Sequence, residues 1–333
     1  MRFAHLRVDG QTTPRLAVVD GESAIFLDEV MRRAPRDLQD LIEQGPEGLA
    51  RVRAAVGAPD PAVKTASDDA LSTAEAASGE ASASASGGAS ADAASEGPAS
   101  VDPRTLPQHR VADLRFSSAV LRPAQVIAIG ANYAAHASEL KLRSETAMTI
   151  FSLWPNSLTA HGATTTWPAD LSEEVDYEAE LGVVIGRPAR GVHARDALDY
   201  VWGYTVVNDI TARNIQFSEA QWSRCKSFDG FTPTGPVVVT ADEIPDPQDL
   251  WLTTNLDGSI MQDASTAEMV RSVAEIIALL SRSATIPPGT LISTGSPGGA
   301  GYSRKPPVFM RDGSTVTVSI EGIGSLTTHC RVI

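Results

Sequence analysis

Apolar and polar positions alternate in short runs along most of this chain, and the recurring period is two. Phe3, Leu6 and Val8, then Leu16 to Val19, then Ala24 to Leu27 form apolar runs parted by Asp9-Gly10 and Asp20-Gly21. Asp-Gly between apolar runs predicts hairpins, because Gly takes the positive φ that a tight turn requires. A helical stretch follows around Leu38, Leu41 and Ile42, with Gly45-Pro46 as its predicted stop. Beyond Val111, strands are predicted at Val126 to Ile129, Leu181 to Ile185, Val201 to Val207, Val237 to Val239, Leu291 to Thr294 and Val316 to Ile320. Many of their residues are β-branched, and Gly, Pro or Asp bounds them. Helical spacing is clearest from Ser265 to Ser281, where Met269, Val273, Ile276, Ile277 and Leu280 share a face. Strands do not alternate regularly with long helices, which disfavours a doubly wound sheet. The pattern predicts an α+β, mainly β chain.

One segment breaks the pattern. From Ala66 to Ser100, 13 Ala and 9 Ser stand among 35 residues that include no Lys or Arg. Such a tract cannot bury enough apolar surface to offset its chain entropy, so a flexible insertion is predicted. The expected organisation is a small N-terminal domain over residues 1–60, an Ala/Ser-rich insertion or linker over 61–110, and a larger catalytic domain over 111–333.

Charge narrows the functional classes. Lys and Arg number 27 against 41 Asp and Glu, a net −14. Binding to nucleic acid or to an anionic membrane needs clustered basic residues, so neither partner is expected. Hydrophobic residues make up 42% of the chain, enough for a packed core. The N-terminal MRFAHLRVDGQ has no apolar run of signal-peptide length, and every hydrophobic stretch is interrupted well short of a membrane span. Cys225 and Cys330 are far apart and lack metal-site spacing. A cytoplasmic protein with reduced thiols is the expectation.

Five segments hold candidate chemistry. In DYEAELGVVIG, Glu178 and Glu180 are two apart on a predicted strand, so both carboxylates share a face. Paired hard oxygen ligands suit Mg2+, Mn2+ or Ca2+, although a solvated strand face is the commoner origin of Glu-x-Glu. Asp209 ends the run YTVVND where strand meets loop; it offers a third oxygen ligand or caps a turn. Arg213, four residues on, is placed to pair with a carboxylate of protein or substrate. In AIGANYAAHASEL, Asn132 is a candidate N-cap, and His136 and Glu139 fall at i and i+3 on one helical face. A carboxylate beside an imidazole fixes its tautomer and raises its basicity, as a water-activating base requires; a surface His-Glu pair is the plain alternative. Lys226, in WSRCKSFDGFTPTGP, suits an oxyanion or a substrate carboxylate. STGSPGGAGYSRKPP is Gly-rich yet lacks P-loop and dinucleotide spacing, so it reads as a loop approaching a ligand closely.

Taken in order, IGANYAAHASEL, EAELGVVIG, VVNDITAR, CKSFDGFTPTGP, MVRSVAEIIALLS and STGSPGGAGYSRKPP resemble the fumarylacetoacetate hydrolase family, in its bacterial acylpyruvate and 2-oxo-acid branch. The resemblance covers roughly Val126 to Ile333. It implies that family's mixed β-roll, preceded by a small N-terminal α/β domain. It further implies metal ligands at Glu178, Glu180 and Asp209, a water-activating dyad at His136 and Glu139, and the family's lysine at Lys226. Substrate contacts are expected at Arg213, Tyr133, Gly295, Ser296 and Pro297.

The implied activity is metal-dependent hydrolysis of a carbon–carbon bond in an acylpyruvate or related 1,3-dicarbonyl, through a metal-stabilised enolate, by a homodimer acting on a small molecule. Decarboxylation, hydration or isomerisation on the same metal site, and a non-catalytic binding protein of the same fold, are the alternatives. The chain departs from the family pattern at Leu153, where relatives often carry Lys. It departs again at Cys225, usually Gly, at Asn214, often Asp, and at Gly295-Ser296-Pro297, usually Gly-Thr-Pro.

Overall fold

The computed structural model describes residues 1–59, 101–142 and 148–333, so the Ala/Ser-rich tract lies outside the described residues. Strand is the dominant regular structure among them, in the expected α+β class.

The strand Ala179–Ile185 is buried at every position, which explains why its sequence is an almost unbroken apolar run. It pairs antiparallel with Val201–Asn208 on one side and Leu291–Ser293 on the other. From these the sheet extends to Thr232–Thr240 in one direction, and to Val126–Gly130 and then the edge strand Thr149–Ser152 in the other. Arg2–Val8 pairs antiparallel with Thr232–Thr240 and is followed outward by Arg15–Asp20 and Ser23–Phe26. The N-terminal strands thus continue the main sheet. Both predicted turns are present, with Gly10 at φ 83° and Gly21 at φ 55°.

A second open sheet orders Ser259–Ser265, Trp251–Leu256, Thr315–Ile320, Gly324–Val332 and Ala163–Trp167. Each strand predicted from the apolar runs is found, with ends shifted by one residue at Leu291–Ser293 and by up to five at Thr232–Thr240.

Period-two alternation sorts side chains into cores on opposite faces of the main sheet. Val183, Val206 and Val239 join one cluster, against the helix Val273–Ser283. Val184, Val207 and Val238 join the other, with Leu38, Leu41 and Val52 of the N-terminal helices. Each of these three valine pairs therefore supplies both cores.

The first helix ends where Gly45-Pro46 predicts, at Glu43, but a second helix that was not predicted, Gly45–Val56, follows at once. Proline is tolerated in a first helical turn, where its missing N–H would be unpaired anyway, so here it starts the next helix. The helix predicted from Ser265 begins only at Val273. Ser272 and Glu275 form a capping box there, and Ser265 to Glu268 form another around a short 3-10 turn. Met269 happens to fall on the helical period, but the chain is reset by these caps before the helix starts.

Candidate metal centre

Glu178 and Glu180 stand at the N-terminal end of the central strand, and Asp209 follows the C-terminal end of its antiparallel neighbour. Because Ala179 pairs with Asn208, the sheet register brings all three carboxylates to one place. Oxygens from the three lie within 4.8 Å of one another. Their exposures are only 3%, 2% and 1% in chain order.

The surrounding charges are unequal. Asp176, Glu178, Glu180 and Asp209 are buried with two permanent cations, Lys226 and Arg213. Lys226 Nζ donates to Glu178 Oε2 at 2.6 Å and to Asp209 Oδ2 at 2.5 Å. The other oxygen of each, Glu178 Oε1 and Asp209 Oδ1, accepts no hydrogen bond among the described residues. Arg213 Nη2 is 2.7 Å and His136 Nε2 3.2 Å from Glu178 Oε1, close ionic contacts without aligned N–H bonds.

Buried carboxylates resist ionisation unless cations compensate. Burial and the charge of Asp209 hold the Glu180 carboxyl well above the usual range. Burial likewise pushes Asp209 up to about 6 despite Lys226. Glu178 is opposite: burial opposes its charge, but Lys226, Arg213 and His136 outweigh it and hold the carboxyl well below its ordinary value.

Four buried carboxyl groups against two permanent cations, the unpartnered Asp209 Oδ1 and an all-oxygen donor set fit one hard divalent cation. Glu180 is already oriented for that role, its Oε2 accepting from Ser293 Oγ at 2.5 Å and from the Gly295 N–H at 2.9 Å. Gly295 has φ 98°, and a Cβ there would stand 2.6 Å from Asn132 Cβ, so both conformation and space call for glycine.

His136 and Glu139 lie on the helix Ala134–Glu139, with Nδ1 3.1 Å from Glu139 Oε2. Burial works against a charged imidazole here, but Glu139 and then Glu178 outweigh it, and the His136 pKa is raised. Glu139 is itself fixed by the Gly299 N–H, 2.8 Å from Oε1. Asn132, expected to cap this helix, instead ties it to the rest of the site. Its side chain bonds the Thr294 and Arg271 carbonyls and the Arg271 N–H. The capping position is Tyr133, which makes no side-chain cap bond.

Other expected substrate contacts differ in surroundings. Arg213 is fully buried and faces protein: Nε donates to Asp176 Oδ2 at 2.9 Å and Nη1 to Gln216 Oε1 at 2.8 Å, beside the Glu178 contact. Ser296 Oγ and the Pro297 carbonyl both accept from Gln262 Nε2. The Tyr133 hydroxyl is buried without a partner among the described residues.

Leu153 packs in the apolar cluster with Phe151 and Val126, and Asn214 bonds Ser172 and the Leu171 carbonyl. Cys225 is buried and donates to the Trp222 carbonyl, and burial pushes its thiol up to about 12, the wrong state for a nucleophile. Sequence reasoning missed Asp176 and Gln216. Asp176 is two residues before Glu178, and Gln216 is three after Arg213 on the helix Arg213–Ser218, so strand and helix spacing held the signal.

Residues 125–331 match the fumarylacetoacetate (FAA) hydrolase C-terminal family, and the chain belongs to it. An uncharacterized protein of Staphylococcus epidermidis is 41% identical over 217 residues, covering 65% of this chain and 72% of its own. The fumarylacetoacetate hydrolase from psychrophilic Exiguobacterium antarcticum is similar in structure, with TM-score 0.75 and 29% identity over 100% of both chains. A 5-carboxymethyl-2-hydroxymuconate delta-isomerase from Mycobacterium smegmatis has TM-score 0.67 and 25% identity, over 100% of this chain and 99% of its own. The family's members are hydrolases and isomerases, and the expected β-roll is the fold observed.

Proposed function

We propose that this chain is a divalent-metal-dependent hydrolase that cleaves a carbon–carbon bond in an acylpyruvate or a related 1,3-dicarbonyl 2-oxo acid. The observation that carries this reading is the buried trio Glu178, Glu180 and Asp209 beside the His136–Glu139 pair. Glu178, Glu180 and Asp209 would hold Mg2+, Mn2+ or Ca2+. A bound cation of this kind supplies Lewis acidity to the oxygens of a 2-oxo acid.

The remaining work falls to side chains. Glu139 accepts from His136 Nδ1–H, which leaves Nε2 as the basic nitrogen that takes a proton from water. The raised pKa of His136 strengthens it as that base. The hydroxide adds to the acyl carbonyl, whose developing negative oxygen Lys226 would neutralise by hydrogen bonding. Breaking the carbon–carbon bond then releases a carboxylic acid, and the leaving carbon recovers the proton from His136 to give the 2-oxo acid. Arg213, committed to Asp176 and Glu178, acts by fixing the position of Glu178.

A screen of acylpyruvates with Mn2+ or Mg2+ tests the reading. His136→Ala should lower turnover by about 10²–10⁴-fold while Mn2+ binding, read by electron paramagnetic resonance, persists. Glu178→Gln or Asp209→Asn should lose Mn2+ binding and activity together. Turnover that survives EDTA would remove the metal from the proposal. The likeness to the M. smegmatis isomerase favours isomerisation as the second reading, and rearranged substrate without a released acid would select it.

A further inference from the structure

The Gly-rich loop from Gly298 to Arg304 is anchored to the site at both flanks of the dyad and the Arg213 pair. The Gly299 N–H donates to Glu139 Oε1, while the N–H groups of Gly301 and Tyr302 donate to Asp176 Oδ1 and Oδ2 at 2.8 and 3.2 Å. A Cβ at Gly301 would stand 1.9 Å from the Val308 carbonyl oxygen and 2.6 Å from Asp176 Oδ1, so the backbone is pressed against its acceptor. These bonds set the position of Tyr302.

The Tyr302 ring covers the buried Arg213 guanidinium, with Cζ 4.6 Å from its centroid, and meets Phe217 edge-on at 5.5 Å. Phe217 is 58% exposed whereas Arg213 is wholly buried. Tyr302 therefore stands between solvent and the charged cluster. Its hydroxyl oxygen is buried and has no hydrogen-bond partner among the described residues. Native structures seldom leave a buried hydroxyl unpaired, and those that do usually reserve it for water, an ion or a ligand.

We propose that Tyr302 is a substrate-binding residue whose hydroxyl donates a hydrogen bond to an oxygen of the bound 2-oxo acid, on the side of the site held by Glu139. This rests on the reading given under Proposed function and deepens it. The site then requires an oxygen acceptor at this position, a carbonyl or carboxylate, and disfavours a ligand that presents only hydrocarbon there.

Tyr302→Phe removes the hydroxyl and keeps the ring on Arg213. Pyruvate and oxalate, titrated calorimetrically into the full chain with Mn2+, should bind the variant about 10- to 100-fold more weakly, the range for a hydrogen bond to a charged acceptor. Mn2+ affinity should be unchanged. The metal-free variant should resist urea as well as wild type or better, because the lost hydroxyl had no partner in the fold. Equal binding of both ligands by wild type and variant would overturn the assignment alone, as would a loss of urea resistance without a change in binding. Wild type that binds neither ligand overturns the assignment and the underlying reading together.

Discussion

Asp176 carries no chemistry in the proposed reaction, yet it holds two parts of the site together. Its carboxylate accepts from Arg213 Nε and from the N–H groups of Tyr177, Gly301 and Tyr302. Arg213 in turn meets Glu178. Removing one partner of a buried ion pair leaves the other charge uncompensated, at a cost of about 3–5 kcal/mol. Asp176→Ala should therefore destabilise the protein by about that much, read as a lower urea midpoint. At this scale the sequence was legible where spacing alone defined a relation. Glu178 with Glu180, and His136 with Glu139, follow from the periods of strand and helix. The salt contacts of Arg213 and Lys226 were not legible, because their partners arrive from elements 37, 48 and 17 residues away in sequence.

At the scale of elements, the strands Val201–Asn208 and Thr232–Thr240 approach too closely at Gly203 for any side chain there. A Cβ on Gly203 would stand 2.3 Å from the Val239 carbonyl oxygen, so the neighbouring backbone itself blocks it. Gly203→Ala should cost at least the ~1–3 kcal/mol typical of overpacking, measured as a lower denaturation midpoint. A Gly inside a strand pattern is a known sign of close approach, but which backbone approaches is fixed only by the pairing of Gly203 with Thr240. The helix boundaries teach the same lesson. Gly45-Pro46 and the stretch from Ser265 to Ser272 each permit a start or a stop, and local composition does not choose between them.

Across the whole molecule, His5 joins three separate segments. It lies on the N-terminal strand, its Nδ1 donates to the Ser118 carbonyl, and its Nε2 accepts from the Leu38 N–H at the start of a helix. Both bonds are satisfied only by the neutral ring, and burial pushes its pKa down to about 4 from 6.5. The unfolded chain therefore takes up a proton that the folded chain refuses. Stability from this group is complete above pH 6.5 and falls as the pH drops toward 4, by about 3 kcal/mol in all. Urea denaturation at pH 7.5 and 4.5 should show that loss in wild type, and His5→Gln should flatten this part of the profile.

The sequence by itself determined the class of fold, the strands, the two carboxylates of the central strand and the helical His-Glu pair. These depend on local periods, which a chain carries before it folds. It also marked the turns that let the N-terminal strands form hairpins. Only the tertiary structure decided that Asp209 meets Glu178 and Glu180, that Lys226 bridges two of the three, and that Asp176 links Arg213 to the Gly-rich loop. Those relations depend on sheet register and on burial, and both arise from the packing of distant segments against one another.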